Sequence, residues 1–135
     1  MSGQAASFGC TASVDWMEDS HPYYPPTVND ADAARFALGV AGELVAGLPG
    51  GGVSETEGTM AGEDFGFLAR AVPACMLLLG TANASAGAGA GLHTPRFALD
   101  EGVLKLGAAL HASLAARYLE TAAAAAAGGG GKDEL

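Results

Sequence analysis

Basic residues are scarce in this sequence: 6 lysines and arginines stand against 15 aspartates and glutamates, and the formal net charge is -9. A chain without a basic surface has little with which to bind the phosphates of nucleic acid or an anionic membrane. The sequence also lacks an apolar run long enough to predict a membrane-spanning helix. We therefore expect neither nucleic acid nor a membrane as a partner.

Cysteine is scarcer still: the chain has only Cys10 and Cys75, which are far apart and form no C-x-x-C pattern. Cys75 lies inside an apolar run, and we interpret it as a small core residue. A disulfide between the two cysteines stays open as an alternative.

The first residues form no secretory signal peptide, yet residues 132–135 read Lys-Asp-Glu-Leu. That ending retains soluble proteins in the endoplasmic reticulum, and it acts only on a protein that has entered the lumen. Asn83 begins an Asn-Ala-Ser glycosylation sequon, which agrees with a luminal location. We therefore expect a chain of the endoplasmic reticulum lumen that binds the K-D-E-L receptor, is a candidate for glycosylation at Asn83, and has its true amino terminus missing from this sequence.

The hydrophobic pattern predicts an α/β fold. Residues 74–79 form an apolar run between Pro73 and Gly80, which is typical of a strand buried on both faces of a sheet. Residues 11–18 alternate between apolar and polar, as in a half-buried strand, and residues 53–57 predict a short edge strand. The prolines in residues 22–26 predict an extended connector at a domain boundary.

Helical patterns occupy much of the remaining chain. They predict the end of a helix over residues 4–8, a helix capped by Asn29 and ended by Gly47 and Pro49, a short helix over Phe65–Ala71, and a final helix capped by Asp100. Residues 82–91 are almost entirely alanine, glycine and serine, so we expect them to bury no apolar area and to be mobile. Residues 121–131 read as a low-complexity tether for the terminal signal.

Three histidines and one acidic pair are candidates for chemistry. His93 follows the predicted buried strand and a glycine-rich loop, at the place where open α/β sheets bind ligands, so it is a candidate metal ligand or acid/base group. His21 and His111 are more simply explained as a loop residue and a packed helix residue. Glu63 and Asp64 have a structural explanation as helix-start residues and a functional one as neighbours of a pocket.

Four segments carry a family resemblance. They are residues 24–30 (Y-P-P-T-V-N-D), 62–65 (G-E-D-F), 93–97 (H-T-P-R-F) and 107–115 (G-A-A-L-H-A-S-L-A). In order and spacing they resemble the plant IAA-amino acid hydrolases, which are auxin-conjugate amidohydrolases of the aminoacylase/carboxypeptidase-G-like metallopeptidase superfamily. The K-D-E-L ending suits the same family.

The resemblance implies the carboxyl-terminal part of a zinc-peptidase-like catalytic domain, preceded by the last strand of an inserted α+β lid domain. Residues 1–26 would then end the lid, residues 27–120 would close the catalytic domain, and residues 121–135 would form a low-complexity tail with the retrieval signal.

The resemblance also implies the chemistry. His93 matches the last ligand of a divalent metal pair, manganese or zinc, and Glu63 and Asp64 lie next to the active site with no assigned role. The other ligands and the general-base glutamate are expected upstream, outside this chain, so we expect no catalytic residue here.

We accordingly expect a metal-dependent amidohydrolase of N-acyl amino acids that splits auxin conjugates into auxin and an amino acid, with this chain alone inactive. A homo-oligomer through the lid is a further expectation. The alternative is a non-catalytic luminal binding or dimerisation remnant of such an enzyme.

Overall fold

The computed structural model describes residues 1–128, whose regular elements are four α-helices and two short 3₁₀ turns. The α-helices are Ser2–Ser7 (α1), Ala31–Val45 (α2), Phe65–Ala71 (α3) and Leu104–Gly128 (α4). The 3₁₀ turns are Ala84–Ala86 and Glu101–Val103, and the second of these leads directly into α4. The K-D-E-L ending lies outside the described residues.

Helix α2 begins with a side-chain cap. Asp30 Oδ1 accepts hydrogen bonds from the backbone N–H groups of Asp32, at 3.1 Å, and Ala33, at 2.9 Å. These bonds satisfy two of the amides that have no partner inside the helix. The prediction of Asn29 as the cap is therefore wrong by one residue, because the Asn29 side chain bonds to a distant segment instead.

The small core lies between α2 and α4. Ala37 and Val40 are the buried residues of α2, and α2 and α4 are the two α-helices that pack against each other in the described chain. Phe36 and Tyr118 meet edge to face with ring centroids 6.1 Å apart. Burial of Ala37 and Val40 stabilises this contact more than the exposed ion pair between Arg117 and Glu43 does.

The predicted strands are absent from residues 1–128. Residues 11–17, 53–57 and 74–79 have no regular secondary structure, and the one β-type contact recorded is an isolated bridge between Asn83 and Ala88. A strand needs a neighbouring strand to receive its N–H and C=O groups, and the described segments do not supply one. The strand assignments are therefore wrong for this chain, and the last strand of a lid is not confirmed.

Residues 74–76 are instead held by Asn29 and Asp30, at the end of the extended connector (residues 21–30) that precedes α2. Asp30 donates its backbone N–H to Ala74 O at 2.9 Å. Asn29 Oδ1 accepts from the Met76 N–H at 2.8 Å, and Asn29 Nδ2 donates to Met76 O at 3.0 Å. The start of α2 and the apolar segment are thus fixed to each other.

The same connector also receives α3, which begins and ends where the sequence predicts. Gly66 lies so close that a Cβ built on it would be 2.6 Å from Pro25 O. Tyr24 packs its ring against Phe67, with centroids 6.0 Å apart. A glycine at position 66 therefore allows α3 to approach the connector backbone.

Helix α4 continues past Glu120 through the alanine run to Gly128. Alanine has the highest helix propensity, so these residues extend the helix where an irregular tether was expected. Within residues 1–128, no helix combines the length and the apolar character that crossing a membrane requires.

Candidate functional site

The loop that carries His93 is pinched at its base. Asp100 donates its backbone N–H to Thr81 O at 3.0 Å, and Asp100 Oδ2 accepts from Asn83 Nδ2 at 2.6 Å. These two bonds hold the ends of residues 82–99 together, and we call them the loop neck.

The loop neck also perturbs the Asp100 carboxyl group. The hydrogen bond from Asn83, followed by that from the Gly102 N–H, lowers the pKa of Asp100 below its ordinary value. Both bonds favour the ionised carboxylate. The same side chain caps the 3₁₀ turn that leads into α4, as the sequence predicts.

The first part of the loop is an organised turn. Asn83 and Ala88 bond to each other through their backbones, and Ser85 Oγ donates to Asn83 Oδ1 at 2.6 Å. Ala88 is only 1% exposed. The expectation that residues 82–91 bury no apolar area is therefore wrong at Ala88. The structure also places the Asn83 side-chain nitrogen, to which a glycan would be attached, in the hydrogen bond to Asp100.

His93 lies in the second part of the loop, in a left-handed backbone conformation with φ of 58°. Its turn is closed by the Thr94 hydroxyl, which donates to Gly91 O at 2.9 Å, and by the Phe97 N–H, which donates to Thr94 O at 3.0 Å. The imidazole is exposed and makes no hydrogen bond to another residue of the range 1–128. A left-handed conformation is uncommon outside glycine and is a mark of a constrained turn.

Glu63 and Asp64 lie at the start of α3. Glu63 Oε1 accepts a hydrogen bond from the Phe65 N–H at 3.3 Å. This side chain therefore satisfies a backbone amide at the start of the helix, as the structural explanation predicts. The Asp64 carboxylate makes no hydrogen bond or ion pair within residues 1–128 and is exposed. The structural explanation therefore accounts for Glu63, whereas the Asp64 carboxylate makes no capping hydrogen bond.

The other two histidines lie apart from the loop. His21 Nδ1 is 2.9 Å from Ser20 Oγ, in the exposed connector. His111 lines an apolar groove on α4 together with Cys75. Burial raises the pKa of the Cys75 thiol, which fits its interpretation as an apolar residue. Both cysteines are free, so the disulfide alternative is excluded in this structure.

The described residues do not make a metal centre by themselves. No group of three histidine, cysteine, aspartate or glutamate side chains in residues 1–128 is placed to hold a metal ion. A catalytic zinc site takes three protein ligands. His93 offers one exposed imidazole among these residues.

Sequence reasoning missed two parts of this arrangement. One is the loop neck, whose Asn83–Asp100 contact gives no periodic signal. The other is an open cavity of about 400 Å³ between the connector and the end of α3, lined by Asp30, Arg70 and their neighbours. No sequence signal marks the second, because its walls come from two segments about 40 residues apart.

Comparison with known proteins decides the family. The family model Peptidase family M20/M25/M40 matches residues 5–117. The chain belongs to this family. Membership supports a peptidase-like catalytic domain for the matched residues, and it confirms the resemblance carried by the four sequence segments.

Individual relatives agree with the family. The chain is 38% identical over 133 residues to IAA-amino acid hydrolase ILR1-like 4 of Arabidopsis thaliana, which is 98% of this chain and 30% of that protein. It is 39% identical over 116 residues to IAA-amino acid hydrolase ILR1-like 5 of the same plant, 86% of this chain and 26% of the relative. Thermostable carboxypeptidase 1 of Saccharolobus solfataricus is 34% identical over 111 residues, 82% of this chain and 26% of the relative.

The chain thus spans less than a third of the length of these curated relatives. No solved structure gave a significant match.

Proposed function

We propose that this chain serves as part of a metal-dependent amidohydrolase that hydrolyses the amide bond of N-acyl amino acids, with auxin–amino acid conjugates as the substrate class. The observation that carries the proposal is the family match over residues 5–117 together with 38% and 39% identity to two proteins named IAA-amino acid hydrolase. The expected products are indole-3-acetic acid and a free amino acid.

His93 is the residue of this chain that we assign to the metal. Its turn presents an exposed imidazole that no other residue of the range 1–128 engages by a hydrogen bond, so a ring nitrogen is accessible to a metal ion. A divalent metal pair, manganese or zinc, would supply an activated water and a Lewis acid. We place Glu63 and Asp64 beside that site, with no catalytic role assigned.

We infer, as the family resemblance implies, that the general base and the other ligands belong to polypeptide outside the described residues. The chain alone should therefore not release auxin from a conjugate, whichever metal is added. Product release is measured by liquid chromatography of indole-3-acetic acid after incubation with an indole-3-acetyl amino acid and manganese or zinc.

The decisive test is a chimera. Residues 5–117 of this chain replace the matching segment of IAA-amino acid hydrolase ILR1-like 4, and the chimera is assayed on the same conjugate. We expect hydrolysis, and we expect His93→Asn to reduce it by about 100-fold or more, since ligand supports alone are worth 10–100-fold. Asparagine tolerates the left-handed conformation, so the turn is retained in this variant.

His21→Asn is the matched control, because it removes a histidine of an exposed segment away from the His93 loop and from the groove beside α4. It should leave the hydrolysis rate within about twofold of the chimera. A folded chimera that is inactive, or a His93→Asn variant that keeps full activity and metal content, would refute the assignment.

A second candidate function is a non-catalytic luminal protein that binds a full-length relative or forms dimers. The exposed apolar groove beside α4 favours it, because the groove is suited to a partner and needs no metal. An active chimera whose activity depends on His93 argues against this candidate, since a non-catalytic remnant has no reason to keep a competent ligand.

We also propose residence in the lumen of the endoplasmic reticulum, which the Lys-Asp-Glu-Leu ending supports. A foreign signal peptide is fused to the chain, with and without residues 132–135, and the product is followed in cells and medium. Retention of the first fusion and secretion of the second are expected. A glycosidase-sensitive shift that disappears in Asn83→Gln tests the sequon, and secretion of both fusions would contradict the proposed residence.

A further inference from the structure

The loop neck ties the loop that carries His93 to the start of α4. Asp100 Oδ1 accepts from the Gly102 N–H at 2.8 Å, and Asp100 Oδ2 accepts from Asn83 Nδ2 at 2.6 Å. One carboxylate therefore caps the 3₁₀ turn that leads into α4 and also binds the loop. Because α4 packs against α2, the neck fixes the loop relative to the two helices that form the core.

Asn83 is the residue at which the contacts of the loop converge. Its backbone pairs with that of Ala88 in both directions, and its side-chain oxygen accepts from Ser85 Oγ at 2.6 Å. Its side-chain nitrogen donates to Asp100. The first turn of the loop is thus attached to the start of α4 through one side chain.

The turn of His93 closes on itself. The Thr94 hydroxyl and the Phe97 N–H each make a hydrogen bond inside residues 91–97. This turn continues from the first turn at one end and leads to Asp100 at the other, so the position of the imidazole relative to α4 depends on the neck. A ligand on a loop that is already ordered loses less conformational entropy on binding than a ligand on an open loop.

We propose that Asn83 and Asp100 are positioning residues for His93: their hydrogen bond holds the loop in the arrangement in which the imidazole binds a metal ion, and it thereby raises the metal affinity. The inference rests on the proposed function, since it takes His93 as a metal ligand. Neither positioning side chain has to touch the metal or the substrate. Metal affinity, and not the chemical step, is therefore the property that their loss changes.

The experiment uses the chimera that carries residues 5–117, produced without N-glycosylation because every change of Asn83 also removes the sequon. Its affinities for manganese and zinc ions are measured by competition with a chelating indicator. Asn83→Ala should weaken metal binding about tenfold, since loss of the groups that support a ligand costs about 10–100-fold. At saturating metal, kcat and KM should stay within about twofold of those of the chimera.

An exchange of the two side chains separates their contact from the residues themselves. Asn83→Asp alone places a second carboxylate against Asp100 and should weaken metal binding at least as much as Asn83→Ala. Addition of Asp100→Asn restores one amide and one carboxylate and keeps an oxygen that can cap the 3₁₀ turn. The double variant should therefore recover metal affinity to within about threefold of the chimera.

Asn29→Ala is the matched control for stability. It removes two side-chain hydrogen bonds outside the loop, so it should destabilise the fold but leave the metal affinity of the folded protein unchanged. Unfolding of every variant in the presence of a chelator gives its stability without the contribution of bound metal.

Equal metal affinities of the chimera and its Asn83→Ala variant would overturn the inference and leave the proposed function standing. Equal losses for Asn83→Ala and Asn29→Ala would also overturn it, because the effect would then follow stability alone. A folded chimera that binds neither metal would overturn the inference and the proposed function together. A chimera that binds metal without hydrolysing a conjugate would contradict the proposed function alone, since the affinities of the variants then still decide whether the neck positions His93.

Discussion

Asn29 pairs with both backbone groups of Met76, a residue 47 positions further along the chain. The carboxamide accepts a hydrogen bond from the Met76 N–H and donates one to the Met76 carbonyl. It thus satisfies both backbone groups of Met76, as the backbone of an adjacent β-strand would. Asp30, the next residue, caps α2 and donates its N–H to Ala74. One dipeptide thus starts a helix and anchors the apolar segment.

Replacement of Asn29 by alanine should therefore destabilise the chain. Two hydrogen bonds are lost, each worth about 0.5–1.5 kcal/mol net, so we expect a decrease of about 1–3 kcal/mol in the free energy of unfolding. Asn29→Asp should also be destabilising, because a carboxylate would face the Met76 carbonyl oxygen. Urea unfolding followed by circular dichroism measures both.

Val28→Ala is the control for Asn29, since Val28 is the preceding residue and is exposed. It should change the free energy of unfolding by less than about 0.5 kcal/mol. Equal effects of the Asn29 and Val28 substitutions would contradict the anchoring role of the carboxamide.

Two glycine-to-alanine substitutions should have opposite effects on stability. At Gly66 a Cβ would be 2.6 Å from Pro25 O, so Gly66→Ala must push α3 away from the connector. We expect a loss of roughly 1–3 kcal/mol. At Gly42 in α2 nothing lies within 4 Å of the added Cβ, and Gly42→Ala should stabilise the helix by up to about 1 kcal/mol. Thermal unfolding of the two variants gives the comparison, and a neutral Gly66→Ala would mean that α3 does not dock as described.

The Asp100 carboxylate should make stability depend on acid pH. Its pKa is lowered in the folded chain, mainly by the Asn83 hydrogen bond. The stabilisation is therefore complete above the unfolded-state pKa of about 4 and is lost as the pH falls through the folded-state pKa. Asn83→Ala removes the main cause, so the pKa of Asp100 should rise towards its ordinary value.

The carboxyl carbon of Asp100, followed by nuclear magnetic resonance from neutral to acid pH, reports this shift directly. Asp100→Asn keeps a capping oxygen but has no carboxylate to titrate, so its stability should fall less steeply in acid. An Asp100 titration that is the same with and without Asn83 would show that the loop neck does not hold in solution.

The two thiols should differ in reactivity. Cys10 is exposed, whereas Cys75 is partly buried and has a raised pKa, so less of it is thiolate at neutral pH. In single-cysteine variants, Cys75→Ala should react quickly with a thiol reagent and Cys10→Ala slowly, and urea should remove the difference. Equal rates in the folded state, or a thiol count that rises only after reduction, would contradict this arrangement.

The helices were predictable because their signals are local. Asp100 followed by the repeat of Val103, Leu106 and Leu110 predicts the final helix, and Phe65–Ala71 ends before Pro73 as expected. The error at the start of α2 came from a tertiary contact, since either Asn29 or Asp30 is a good cap and only the bond to Met76 decides between them. The strand predictions were wrong because an apolar segment forms a strand only where a neighbouring strand pairs with its backbone.

The candidate site was predictable only in part. The loop context of His93 was readable, since glycines precede it and Pro95 follows, but its left-handed backbone was not. The contact of Asn83 with Asp100 joins residues that share no periodicity, and no sequence pattern announces it. The assignment of His93 to a metal stays a prediction, because the described residues bring no group of possible metal ligands together around it.

The loop neck separates the loop of residues 82–99 from the helices that pack outside it. The contacts of residues 81, 83 and 100 already bring the two ends of the loop together. Insertion or deletion of residues near Gly89 therefore changes the length of the loop but not the packing of the helices outside it. Ring-closure entropy changes slowly with length, so such changes cost little. We therefore expect a change in the length of this loop to move His93 without altering how α2 packs against α4.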